Sequence, residues 1–378
     1  MKKFKKALAS TLAVLSAASA LCVPMGAFAT SADSDNGLYV KTSVVPEDVV
    51  SYATNAFSSY SYNDMLNLDF DGETVENVRL SKPFTVETFD VSSDGYTQYY
   101  FPVVNNDNVE AVLTVNVNID DNSMSYQLGK DMMTFALENA VSSSSNPITV
   151  CANEDCYFSV DSDGNADVLY DFDTTNNKDL PVEIDMNRFT DTDTVHIDSD
   201  NVYSDTLSGW NNARAIMGIK LPVQYVANVG ANCWAACFGC LSTYYTNTNT
   251  GGSVQDGENM RNIAMNTYSS GGKTQVKELL SKYNNVSMTI VNNILSWDTI
   301  KTEISTRSPF YTSWVRTGGR HALVVSGYTY NNVTNGDKKI YAMDPNVGTN
   351  VSISYGSTCT YSPSTSRTYT WESTLYRA

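Results

Sequence analysis

Apolar residues recur along this chain with two different periods, and the change from one to the other divides it. Val109, Ala111, Leu113, Val115 and Val117 alternate with polar neighbours, the period of a strand with one buried face. The run Tyr99–Val104 precedes them across the turn cluster Asn105-Asn106-Asp107-Asn108, so the two segments predict a hairpin. The stretch 76–128 as a whole reads as strands, with helices expected over 46–58 and 130–140. Ile148–Val160 and Ala166–Phe172 flank Asp161-Ser162-Asp163-Gly164-Asn165 and read as a second hairpin. That acidic turn has the look of a calcium loop. Its glycine is at the wrong offset and no closing glutamate follows, so a solvated turn is expected. Residues 173–217 are polar and acidic with few core positions and read as an exposed linker, open to proteolysis.

The helical period takes over after about residue 214. Cys233, Ala236, Cys237, Cys240, Leu241 and Tyr244 fall at i, i+3, i+4, i+7, i+8 and i+11, the stripe of a buried helix, with Asn232 where an N-cap belongs. Helices are predicted over 255–267, 274–282 and 296–306, the last stopped before Pro309. Strands follow over 310–315, 321–330, 339–343, 351–355 and 369–375. Helices first and strands last predict an α+β domain, a helical layer against an antiparallel sheet with a cleft between them, preceded by a mainly antiparallel β domain with a helix or two.

Charge sharpens that division. The chain carries a net charge of −17. Residues 30–217 hold 33 acidic and 7 basic side chains, net −26, whereas residues 218–378 hold 13 basic and 8 acidic, net +5. Opposite signs on two halves of one chain predict that the halves bind each other. The first residues, Met1-Lys2-Lys3-Phe4-Lys5-Lys6, lead into an apolar run that closes on Ala27-Phe28-Ala29. A basic start, an apolar middle and a small-x-small site predict a secretory signal peptide over 1–29. The product is expected outside the cell or at the cell wall, with no membrane partner once the leader is gone. Cys22 leaves with that leader. Of the rest, Cys151 and Cys156 are close enough in sequence to bridge, and the uneven placing of the others rules out a disulfide scaffold.

The chemistry follows from scarcity. There are two histidines, His196 in the acidic stretch and His321 at the head of an apolar strand, so His321 is the one imidazole available to the second half. A thiol must ionise to attack, and a helix N-terminus and a nearby imidazolium both favour the thiolate. Cys233 holds that position, whereas Cys237 and Cys240 lie further down the helix and read as small core residues. Asp344 ends the strand after that of His321 and is expected to orient the imidazole, with Asn346 as the fallback. The Cys233 N–H and a side-chain amide would bind the oxyanion. Gln224 is the first choice for that amide, with Asn228 and Asn232 behind it.

Gln224…Asn232-Cys233-Trp234-Ala235-Ala236, then Gly319-Arg320-His321-Ala322-Leu323-Val324-Val325-Ser326-Gly327-Tyr328, then Tyr341-Ala342-Met343-Asp344-Pro345 resemble the blocks of papain-like cysteine peptidases, in that family's order. The Met-Asp-Pro setting of the third block is closest to bacterial branches such as staphopain, streptopain and the bacteriocin-processing type. The resemblance spans about 218–378 and implies Cys233 as nucleophile, His321 as general base and acid, Asp344 as orienter and Gln224 as oxyanion donor. The N-terminal region resembles in outline the pro-regions of staphopain and streptopain. A secreted endopeptidase zymogen is therefore expected, with residues 30–172 as pro-domain and intramolecular inhibitor, maturation within 173–217, a protein or peptide substrate, no nucleic acid and no cofactor.

Three other readings of the same residues stay open at this point. A cell-wall amidase or a transglutaminase reuses the Cys–His–Asp trio on related folds, and a dead peptidase fold would serve as a binding protein. Cys233, Cys237 and Cys240 also spell C-x3-C-x2-C, but one helix cannot aim all three at an iron–sulfur cluster, and a zinc site lacks histidines.

Overall fold

The computed structural model of the protein describes residues 37–89, 94–105, 108–172, 192–198, 202–204, 216–247, 251–365 and 367–377. The expected signal peptide lies outside the described residues, as does most of the expected linker. The architecture is α+β, as the two periods require, with antiparallel pairing dominant in both sheets.

In the acidic half, strands Tyr96–Asn105 and Asn108–Asn118 form the predicted hairpin, and Met124–Gly129 continues it. The expectation of one buried face is corrected: Ala111 through Asn116 are buried without alternation. Ala111, Leu113 and Val115 pack with Phe101 and Val103 against helix Glu47–Ser58 and Met65. Val112, on the opposite face, joins Val104, Tyr100 and the helix Met132–Asn139. Further along that face Thr114 and Asn116 are also fully buried, and Asn116 accepts a hydrogen bond from Ser362 of the other half. Period 2 reported the apolar face and missed a polar face that is buried against a partner.

The single strand expected over 148–160 is two, Ile148–Ala152 and Cys156–Val160. Asn153 divides them: its side-chain oxygen accepts from the N–H groups of Asp155 (2.9 Å) and Cys156 (2.8 Å), a local turn that an asparagine makes cheaply. Asp161 closes the next turn the same way, accepting from the backbone of Asp163 and Asn165 and from the Asn165 amide, so its carboxylate is used within the turn. Cys151 and Cys156 lie buried in one cluster with Phe89, Phe158 and Val160.

The reading of 173–217 as plain linker is also corrected where it is described. Asp193–Ile197 pairs with Leu38–Thr42, Val202–Ser204 with Arg79–Ser81, and Ile216–Lys220 with Gly319–Asn331. These strands complete sheet edges in both halves, which satisfies backbone groups that would otherwise lack partners. Their Asp- and Thr-rich composition hid them.

In the C-terminal half, helix Cys233–Thr246 is buried along almost its whole length beneath Val254–Thr267 and Lys273–Asn284. Gly239 and Gly257 let the first two helices cross: a Cβ on Gly239 would stand 2.5 Å from the Gly257 carbonyl oxygen. The five predicted strands form at the expected places, running in space 350–354, 336–343, 319–331, 310–316 and 369–376. The short strands Thr289–Val291 and Thr360–Tyr361 and the capped helices Tyr62–Leu66 and Gly72–Asn77 carried too few residues for a period to show.

The two halves share a sheet. Met124–Gly129 pairs antiparallel with Asn350–Ser354 in the register Gln127↔Ile353, Leu128↔Ser352 and Gly129↔Val351. Residues 59–69 clasp the same region from one face. Tyr341 donates its hydroxyl to Asp64 Oδ1 at 2.6 Å, and Tyr60 donates to Ser352 Oγ at 3.0 Å. Buried Lys339 donates to the Ser59 carbonyl at 3.0 Å and lies over the Tyr60 ring, and Lys220 pairs with Asp69 at 3.3 Å. The mutual binding expected from charge is present, carried by backbone pairing and hydroxyl contacts more than by ion pairs.

Candidate active site

Cys233 is the first residue of its helix and is partly exposed, whereas Trp234 through Tyr244 are buried. Asn232 occupies the N-cap position, yet its side chain does not cap the helix. Its amide donates to the Val229 carbonyl at 3.0 Å, and its own N–H is held by Asn228 Oδ1 at 3.2 Å. The first N–H groups of a helix have no intrahelical acceptor, so the helix end beside Cys233 presents donors and a positive dipole. Cys237 and Cys240 behave as core residues. Burial pushes the Cys237 thiol well up and the Cys240 thiol up to about 12, so neither ionises near neutrality.

His321 and Asp344 meet because of strand register. Val324 pairs with Met343, so His321, three residues before Val324, and Asp344, one after Met343, lie at the same end of adjacent strands. His321 Nε2 stands 3.0 Å from Asp344 Oδ1, with both side chains buried. The Cys233 side chain lies close enough to the same imidazole to favour its charged form. With Nε2 facing the carboxylate, Nδ1 is the nitrogen left for the thiol. Burial disfavours the charged imidazole, but the Asp344 charge and hydrogen bond and the Cys233 contact outweigh it and hold His321 well above its ordinary value. Asp344 is shifted the opposite way. Burial works against its charge, and His321, the Tyr361 hydroxyl and the Asn346 N–H together hold its carboxyl below the ordinary range.

The structure brings Cys233, His321 and Asp344 together and separates Gln224 from them. A Cβ on Gly251 would lie 3.4 Å from Gln224 Cγ, and the Gly251 N–H bonds Asn247 O, the C-cap of the Cys233 helix. Cys233 and Asn247 stand about 20 Å apart along that helix, beyond the reach of a glutamine side chain. The chain from Gln224 to Asn228 runs back along the helix towards its start, past Val226, which packs against Gly239. The expectation of Gln224 as oxyanion donor is therefore corrected, and Asn228 is the amide at the Cys233 end. Its Nδ2 donates to Gly230 O at 2.7 Å and to Asn346 Oδ1 at 2.8 Å. Asn346, the fallback orienter, thus turns its exposed side chain to Asn228, and its backbone N–H donates to Asp344 at 2.7 Å.

Tyr361 was not legible beforehand. Its hydroxyl donates to Asp344 Oδ2 at 2.5 Å and its ring lies nearly parallel to His321, centroids 6.2 Å apart. Tyr369 closes on the same imidazole at 5.6 Å. Tyr361 sits in a two-residue strand within a polar stretch, with no period and no neighbouring motif to mark it.

Two family models match. Residues 36–193 match the staphopain proregion, and residues 216–363 match the papain-like cysteine protease AvrRpt2 family. A comparison with curated proteins found no match. The first model reaches into the stretch read as linker and ends within the strand Asp193–Ile197. The second begins with the strand Ile216–Lys220 and spans Cys233, His321, Asp344 and Tyr361. Carrying the two regions in this order, the chain is a papain-like cysteine peptidase with an N-terminal pro-region.

Proposed function

We propose that this protein is a secreted cysteine endopeptidase made as a self-inhibited precursor. The observation that carries the reading is one buried imidazole bonded to a carboxylate and acted on by a helix-start thiol, Cys233–His321–Asp344. In this reading His321 takes the Cys233 proton, and the thiolate attacks the scissile carbonyl carbon. The carbonyl π electrons move to oxygen, where the Cys233 N–H and the Asn228 amide meet the charge, the latter released from Gly230 O. The oxyanion collapses, the C–N bond breaks, and imidazolium protonates the departing amine to leave a thioester. Water then gives a proton to His321 and attacks the thioester, and the returning proton and freed thiolate restore the pair. Asp344 supports each imidazolium without moving a proton itself.

The contacts of the acidic half support its role as inhibitor. Thr349 donates to the Lys130 carbonyl at 2.7 Å, and Val347 is buried among Met133, Leu137 and Tyr157. Tyr170 senses the Asp344 charge and lies within electrostatic reach of Tyr225. The pro-region thus sits on the loop that follows the catalytic carboxylate. Maturation by cleavage between 173 and 215 would free that loop. Digestion of casein by the matured protein tests the reading: hydrolysis lost in C233A is expected. Release of peptidoglycan fragments without casein cleavage would instead make the trio an amidase.

A further inference from the structure

Asp344 has two oxygens, and the mechanism uses one. Oδ1 serves His321 and the Asn346 N–H, while Oδ2 receives the Tyr361 hydroxyl at 2.5 Å. The carboxylate is fully buried, so water cannot substitute for a missing donor, and an ionised oxygen left bare there is strongly disfavoured. Tyr361 is itself held on both sides by the pro-region. Thr360 shares a hydroxyl contact with Ser125, and Ser362 exchanges two hydrogen bonds with the Gln127 amide, 2.6 and 2.7 Å. Its ring is fixed by Trp314 edge-on and by His321 in parallel.

We infer that Tyr361 is a positioning residue for the Asp344–His321 pair: its hydroxyl keeps the buried carboxylate ionised and turned towards the imidazole. The inference rests on the proposed role of Cys233 and His321. The groups facing the pair come from both halves. Cys233, Asp344, Tyr361 and Tyr369 lie about the imidazole, Cys237, Tyr225 and the pro-region's Tyr170 sense the Asp344 charge, and Asp131 of the pro-region and Tyr369 act on Tyr361. Arg316 lies over the Tyr369 ring at 5.6 Å. Removing the Tyr361 hydroxyl makes Asp344 easier to protonate, and as it protonates the imidazolium loses its counter-charge. The acid limb of Cys233 reactivity therefore moves up in pH, because the reacting thiolate depends on the imidazolium beside it.

The test is the pH dependence of iodoacetamide alkylation at Cys233 in the full-length chain, read on the Cys233 peptide by mass spectrometry. It needs no peptide substrate and no maturation. Y361F retains the ring, and its acid limb is expected about one pH unit above wild type, the effect of one lost charge-assisted hydrogen bond. In a D344N background the same substitution is expected to shift nothing. A Y361F profile that superimposes on wild type, or an equal shift with and without Asp344, overturns the inference. If Y361F fails to fold while D344N/Y361F folds, the hydroxyl's target is still the carboxylate and the inference stands. If both fail to fold, Tyr361 is a core residue and the inference falls. A wild-type Cys233 no more reactive at pH 6 than a free thiol would instead sink the functional reading beneath it.

Discussion

Gln127 and Ser362 exchange a reciprocal pair of buried hydrogen bonds, Nε2–H to the Ser362 carbonyl at 2.6 Å and the Ser362 N–H to Oε1 at 2.7 Å. A single side chain of the pro-region thereby does what a neighbouring strand would do for the peptidase backbone, one residue from Tyr361. Substituting it leaves a buried N–H and a buried carbonyl without partners, at about 1–3 kcal/mol each. Q127A in a C233A background is expected to lose about 2–4 kcal/mol in urea unfolding. A loss below 0.5 kcal/mol would mean that the contact is incidental to how the halves hold together.

Asn228 reaches the helix start that Gln224 cannot. Removing one oxyanion donor costs about 100- to 1,000-fold in turnover. N228A is expected to fall in that range against a peptide substrate while Q224A stays within a few-fold of wild type. Kinetics of both on matured enzyme check this, and the reverse ranking would return the role to Gln224.

Asp131 gives the precursor a pH dependence of calculable sign. It caps the helix Met132–Asn139 and is fully buried, and burial outweighs its hydrogen bonds and raises its pKa from the ordinary 3.8 to about 7. The folded state therefore holds this proton more tightly than the unfolded chain does. The resulting stability is fully present below about pH 4 and is lost as pH rises through about 7. D131N keeps a cap acceptor and cannot ionise. The stability of wild type minus that of D131N is expected to fall between pH 4 and pH 7, by a few kcal/mol at most. Denaturant titrations of both proteins across that range measure it, and a difference independent of pH would contradict the assignment.

Cys237 is buried one helical turn below Cys233, with a thiol that burial keeps protonated. C237A is expected to retain activity and lose about 1–2 kcal/mol of stability, the cost of a small buried side chain. A folded but inactive C237A would name a different nucleophile.

The sequence carried the chemistry further than the interface. Cys233 and His321 were legible because one sat at a predicted helix start and the other was the one imidazole in its half, and Asp344 because a strand ended there. Their pairing required only that adjacent strands be adjacent. Gln224 was misplaced because residue spacing says nothing about direction. The segment 221–228 runs antiparallel along the Cys233 helix, which takes residue 224 to the wrong end. Tyr361 was invisible because its two partners are distant in sequence and its strand is two residues long. The merged sheet escaped notice for a related reason. Gln98, Asn116 and Gln127 are polar in sequence and buried in the fold, because the surface they match lies more than 200 residues away. The −26 to +5 division anticipated that the halves meet, but few ion pairs cross between them among the described residues, Lys220–Asp69 and Arg316–Asp94 being two.

The most direct test of the Cys233–His321 pair is covalent. The protein would be treated at pH 6 with a peptidyl epoxide that reacts with activated thiols, and the adduct located by peptide mass spectrometry in wild type and in H321A. A single label on Cys233, lost in H321A, is expected. Labelling of Cys237 or Cys240, or of Cys233 at an unchanged rate without His321, would contradict it.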